Sequence, residues 1–142
     1  MSEFVLYDDR IARDFAPFAL TRPAGELRAG AALIRERWVR ALGVSATGFV
    51  GAPHLAAFAE FEAPRASAGT LPAGSWVVNA RCAPALAPLA LADPVRTIVC
   101  GTEVAAVRLD RAVAVDELAD GTLALASLSG GATATVQGWW LS

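Results

Sequence analysis

A chain of 142 residues with 55% hydrophobic and 18% charged residues is long enough for one domain burying about two thirds of its unfolded surface. That balance excludes intrinsic disorder, and a net charge of −2 excludes a general nucleic-acid binder, which carries a basic excess. All twelve basic residues are arginine, which leaves no lysine for Schiff-base or general-base chemistry. Arginine stays protonated and acts by bidentate recognition of phosphate or carboxylate.

No window holds about 18 consecutive apolar residues, the length a spanning helix needs. Cys82–Ala92 (CAPALAPLALA) comes nearest but is short and broken by two prolines. The start MSEFVLYDDR has an early acid and no basic region before an apolar core, unlike a signal peptide. The expectation is a cytoplasmic protein with no membrane and no nucleic-acid partner. Cys82 and Cys100 each lie beside an apolar run, outside any CxxC or Cys/His cluster, and are expected as buried free thiols.

Phe4–Tyr7 (FVLY) reads as a first strand ending in Asp8-Asp9. Open α/β sheets bind ligands at that end, so the two carboxylates are candidate metal ligands; a solvated turn is the other reading. Asp9–Ala19 lacks a clean period and reads as loop or one irregular turn. Thr21-Arg22-Pro23 is extended or turn, because proline restricts the residue before it. A helix then runs from Gly30 or Ala31 to Leu42, with Ile34, Trp38 and Leu42 at i, i+4, i+8 and Gly43 at its C′ position. Arg35, Glu36, Arg37 and Arg40 occupy its polar side, with Glu36 spaced to pair with Arg40.

Ala46–Gly51 reads as a second strand and Pro53–Phe61 as a short helix with proline in its first turn. Ala63–Gly74 is loop. Ser75–Asn79 is a third strand, and three prolines limit any following helix to Leu86–Leu91. Val95–Cys100 and Glu103–Leu109 flank Gly101-Thr102 as a hairpin. Asp110 is placed to cap a helix over Arg111–Ala119, ended by Gly121. Thr122–Leu128 is ambiguous, Gly130-Gly131 is a turn, and Ala132–Trp140 is a final strand. No internal repeat is present. The β-α-β-α-β order followed by a hairpin predicts one α/β domain over residues 1–142: a layered, mostly parallel sheet with flanking helices and an antiparallel edge hairpin. Adjacent Trp139 and Trp140 form a large apolar surface, expected either buried in a strand or packed on a following domain or second chain.

The candidate anion-binding residues are Arg22, Arg28, Asn79 and Arg81. Arg22 sits before a turn-fixing proline and either reaches a phosphate or pairs with Glu26 or Asp14. Arg28 lies where loop meets helix start, which favours anions. Arg81 ends a strand, and Asn79 either reads a base or sugar hydroxyl or simply terminates that strand. His54, the only histidine, has no partner motif, and no Ser/His/Asp or Cys/His arrangement can be built.

At FVLYDD, Pro17, Thr21-Arg22-Pro23, Leu27-Arg28-x-Gly30, Ile34-Arg35-Glu36 with Trp38, and Asn79-x-Arg81 before Pro84, the chain resembles a known family. These are the N-terminal domains of sugar-nucleotidyltransferase-like proteins related to the bifunctional UDP-N-acetylglucosamine pyrophosphorylase. The resemblance covers most of the chain and is sharp over Phe15–Trp38 and Val77–Pro84. It implies a nucleotidyltransferase-like, Rossmann-like half, and a parent protein continuing into a second half and a β-helix. The implied reaction joins an NTP and a sugar 1-phosphate into an NDP-sugar and pyrophosphate. In that superfamily a G-x-G-T-R loop cradles phosphates, a lysine stabilises charge and an aspartate holds Mg²⁺. Here Asp8-Asp9-Arg10, Thr21-Arg22-Pro23, and Asn79 with Arg81 stand at the comparable places. For that reaction Mg²⁺ would be supplied by the substrate or the rest of the parent; the alternative is a non-catalytic domain that binds a nucleotide or sugar phosphate or serves assembly.

Overall fold

The computed structural model describes residues 3–15, 21–60 and 62–141. In chain order it contains β1 (Phe4–Tyr7), helix α1 (Arg10–Arg13), β2 (Arg28–Ala29), β3 (Ala32–Leu33), helix α2 (Ile34–Leu42), β4 (Ala46–Val50) and β5 (Thr70–Leu71). There follow β6 (Trp76–Asn79), β7 (Cys82–Pro84), β8 (Val95–Cys100), β9 (Glu103–Arg108), β10 (Val113–Ala114), β11 (Ala132–Val136) and β12 (Gly138–Trp140). Six strands form the main sheet in the order β11-β8-β9-β6-β1-β4. β1 pairs in parallel with β4 and β6, and β8 with β11; β9 alone runs against its neighbours. The α/β expectation, a mostly parallel sheet with an antiparallel hairpin, therefore holds. β11 takes the outer edge beyond that hairpin.

Every residue of β1 is buried, as a strand covered on both faces requires. Phe4 and Leu6 belong to one core with Ile34, Trp38, Phe49, Val78 and Ile98. Val5 and Tyr7 belong to a second with Val77, Val107, Leu109, Leu118 and Leu125. α2 covers the first face, where Trp38 is fully buried and its indole Nε1 donates to the Cys82 carbonyl at 3.0 Å. The second face is covered by short 3₁₀ turns at Val115–Glu117 and Leu125–Leu128. The helix expected over Arg111–Ala119 is thus replaced by β10 and a single turn. Val113 and Leu118, its two fully buried residues, lie five apart and off any helical stripe. Of the helix expected over Pro53–Phe61, whose last residue lies outside the described residues, a 3₁₀ turn at Pro53–Leu55 forms, and no helix forms over Leu86–Leu91.

α2 begins at Ile34, three or four residues later than expected. Arg28–Leu33 turns back on itself as the β2–β3 ribbon around Gly30, whose φ is +70°. Glu36 accepts the Leu33 backbone N–H at 2.7 Å, capping the helix where a pair with Arg40 was expected. Gly43 ends the helix at φ +71°, its N–H on the Val39 carbonyl at 2.8 Å. A Cβ there meets nothing within 4 Å, so only backbone strain opposes substitution. Gly43→Ala is expected to lower the unfolding free energy by about 1 kcal/mol, read from the urea midpoint at unchanged m-value.

The final stretch is broken at Gln137, and β12 leaves the sheet to pair antiparallel with β7. Trp140 packs on the first core and donates its Nε1 to the Cys100 carbonyl at 3.0 Å. Trp139 stays about half exposed under the Arg37 guanidinium, 4.8 Å from the ring centroid. Of the two alternatives for the tryptophans, burial in a strand therefore holds in part: Trp140 and one face of Trp139 are used by this chain's own core and arginines. Cys82 and Cys100 are buried free thiols, as read, and burial pushes the Cys82 thiol up. Among the described residues no helix is long and apolar enough to cross a membrane.

Candidate functional site

The end of β1 sets the site. Asp8 is almost completely buried, which rules out the solvated turn. Both of its carboxylate oxygens accept the Ala24 backbone N–H, at 3.2 and 3.1 Å, and so tie down the Thr21–Pro23 arm. Burial raises its pKa to about 7, against the opposing Ala24 hydrogen bond and Arg13 charge. Asp9 caps α1 through the Ala12 N–H at 3.0 Å, giving the expected irregular stretch a short helix. Residues 16–19 of that stretch, Pro17 among them, lie outside the described residues.

Asp9 also gathers two of the predicted residues. Tyr7 and Asn79 are register partners at the carboxyl ends of parallel strands β1 and β6. From there Asn79 donates Nδ2 to Asp9 Oδ2 at 2.9 Å, and its Oδ1 accepts the Arg81 backbone N–H at 2.9 Å. The Arg81 guanidinium grips Asp9 with Nε 3.0 and 3.1 Å from its two oxygens and Nη2 3.0 Å from Oδ2. Its Nη1 donates to the Leu141 carbonyl, and its carbon lies 5.2 Å from the Trp140 ring centroid. Burial opposes ionisation of Asp9, but the bonds from Arg81, Ala12 and Asn79 prevail and hold its carboxyl below the usual range. A cleft of about 340 Å³ opens over Asp9, Asn79 and Arg81. It is walled by Tyr7, the β8–β9 turn at Thr102–Val104 and the segment Leu123–Ala126. The Tyr7 hydroxyl donates to the Leu123 carbonyl at 2.8 Å, and burial pushes its pKa up to about 12.

Arg22 and Arg28 line a different cleft, of about 500 Å³, that shares no lining residue with the first. The four predicted binding residues therefore fall into two groups. Arg22 pairs with Glu60 at 2.9 Å rather than with Glu26 or Asp14, and both side chains are well exposed. Arg28 is exposed, with Nη1 on the Ala31 carbonyl at 3.1 Å. Arg35 forms a tighter pair with the buried Glu26, at 2.6 and 3.1 Å, that ties α2 to the turn after Pro23. Three arginines (Arg22, Arg28, Arg35) thus face four glutamates (Glu26, Glu36, Glu60, Glu62).

Arg37 corrects the reading of α2 as having all its charge on one solvated side. It is buried, with Nε on the Ala29 carbonyl at 2.9 Å and Nη1 on the Pro84 carbonyl at 3.0 Å. The signal lay in its spacing: Ile34, Arg37, Trp38 and Ala41 stand at i, i+3, i+4 and i+7 of one stripe. The cleft walls at Thr102–Val104 and Leu123–Ala126 had no such local signal.

Asp8 and Asp9 were the candidate ligands for Mg²⁺. Their donor chemistry does not fit it here, because Mg²⁺ takes ionised, available carboxylate oxygens. Asp8 is buried, shares one Ala24 N–H between its oxygens and resists ionisation, and Asp9 is occupied by Arg81, Asn79 and Ala12. Among the described residues no group of three or more His, Cys, Asp or Glu could hold a metal.

Comparison with curated proteins and with solved structures returns no match. A family model described as sugar nucleotidyl transferase matches residues 4–141, from the first residue of β1 to Leu141 beside Arg81. The match takes in both arginine clusters and nearly the whole chain, and the protein belongs to the sugar nucleotidyl transferase family.

Proposed function

We propose that this domain binds a nucleotide or sugar phosphate beyond the carboxyl end of β1, with its phosphates at Arg22 and Arg28. One observation carries the reading. The consecutive Asp8 and Asp9 each anchor one predicted arm, Asp8 the turn bearing Arg22 and Asp9 the side chains of Asn79 and Arg81. That is where open parallel sheets take ligands. An exposed pair such as Arg22–Glu60 contributes about 0.2–1 kcal/mol, so a phosphate competes for Arg22 at low cost. Arg28, bonded to a carbonyl, supplies a second fork. The surrounding glutamates oppose a bare anion, and Mg²⁺ belongs to this reading as the ion carried in on the nucleotide's phosphates.

A second reading, transfer of a nucleotidyl group from an NTP to a sugar 1-phosphate with release of pyrophosphate, is supported by family membership. Against it stand the missing lysine and two carboxylates already engaged. Thermal unfolding with NTPs, sugar 1-phosphates and NDP-sugars tests binding. A ligand at 100 times its dissociation constant adds about 2.7 kcal/mol, a rise of roughly 5–10 °C for a chain of this size. Arg22→Ala and Arg28→Ala are expected to abolish the rise. A rise that survives both substitutions places the phosphate elsewhere, and no rise with any ligand sinks the proposal. Pyrophosphate release under the same conditions decides between binding and transfer.

A further inference from the structure

The two clefts differ in the charge they leave open. In the Asp9–Asn79–Arg81 cleft the guanidinium is already used along its edges, by Asp9 and the Leu141 carbonyl, and on one face by Trp140. Asp9 is likewise saturated by Ala12, Asn79 and Arg81. The two charges cancel inside a largely buried pair, with side chains 10% and 16% exposed. The one other charged wall residue is Glu103, which is exposed. A phosphate entering there meets a net negative lining, and the guanidinium it would reach already has Nε and Nη2 committed to Asp9 and Nη1 to the Leu141 carbonyl. An uncharged group meets no such barrier. The remaining walls alternate polar groups (Asn79, Tyr7, Thr102) with apolar ones (Val104, Leu123, Leu125), the mix that suits a small polar ligand with apolar faces.

The geometry points to this cleft as the seat of the ligand's uncharged, hydroxyl-bearing part, a sugar ring or nucleoside, with the phosphate outside it. Arg81 is then a positioning residue: it braces Asp9 and Asn79 and does not hold phosphate. The inference rests on the binding reading above only for where the phosphate goes.

The test uses the ¹⁵N-labelled full chain with three probes: uridine, N-acetylglucosamine and inorganic pyrophosphate. Uridine or N-acetylglucosamine is expected to shift the Asn79 side-chain amide and Trp140 indole signals, with an affinity indifferent to salt. Whichever of the two binds identifies the part as nucleoside or sugar. Ala126→Trp, at an exposed position on the cleft wall, is expected to weaken that probe at least about tenfold. Ala124→Leu, on the same wall, checks the result should Ala126→Trp fail to fold. Arg28→Ala is expected to leave the uncharged probe's affinity unchanged. Pyrophosphate is expected to behave in the opposite way, lost in Arg28→Ala and kept in Ala126→Trp. Shifts of Asn79 and Trp140 by pyrophosphate that vanish in Ala126→Trp overturn the inference, as does silence of both uncharged probes. If pyrophosphate binds nowhere while an uncharged probe fills the cleft, the phosphate assignment fails and this inference stands.

Discussion

Asp9→Ala is expected to lower the unfolding free energy by about 3–5 kcal/mol, because it strands a buried guanidinium. Arg81 is 9% exposed and has no other carboxylate among its bonds in the described structure. The same substitution frees the Ala12 N–H and the Asn79 amide, so the loss falls on α1, β6 and the Arg81 arm together. Arg81→Leu leaves Asp9 with two of its three partners and is expected to cost less. The double variant is the decisive measurement. With both charges gone no buried ion remains unpaired, and its loss should fall short of the summed single losses by about 0.5–3 kcal/mol. Additive losses in urea unfolding would mean that the pair is not coupled. The acid limb carries the same signature. Asp9 has a depressed folded pKa, so its contribution is present above the unfolded value near 4 and disappears as pH falls through the folded one. The wild type should lose stability in that acid range, and Asp9→Ala should lose less.

Much of the sheet was legible because its strands carry their own punctuation. β1, β4, β6 and the β8–β9 hairpin are short apolar runs ended by acids, glycine or asparagine, and those signals are local. α2 was legible at its C-terminus, where Gly43 has to adopt a positive φ, and less so at its start. There the β2–β3 ribbon around Gly30 competes with a helical turn for the same residues. The core helix also hid a charge: Arg37 occupies an apolar-stripe position, and its burial depends on carbonyls of Ala29 and Pro84, the latter 47 residues away. The candidate residues stood out by type, and their grouping did not. Arg22 and Arg81 look alike in sequence, yet one meets exposed Glu60 and the other buried Asp9, partners 38 and 72 residues distant. Only the chain path over the end of β1 decides that.

Asp8 gives the sharpest pH signature. A buried carboxyl with its pKa raised to about 7 from 3.8 is protonated in the folded chain and ionised in the unfolded one throughout that interval. A raised folded pKa contributes stability that is full below the unfolded value and lost as pH climbs through the folded one. The wild type should therefore lose about 1.4 kcal/mol per pH unit across the window, on the order of 4 kcal/mol in all. This is opposite in sign to Asp9 and above it in pH, so the two do not overlap. Asp8→Asn keeps an oxygen for the Ala24 N–H and cannot ionise, so its stability should be flat from pH 4 to 7 and exceed the wild type's at pH 8. His54→Gln supplies the control for the only histidine in the sequence. Parallel pH profiles for wild type and Asp8→Asn would show that the carboxyl is ionised in the fold. In that case Asp8 holds the Arg22 arm as a carboxylate and returns as a candidate for a cation. A falling wild-type profile beside a flat variant identifies it instead as a neutral acid, whose work at the end of β1 is to hold the arm in place.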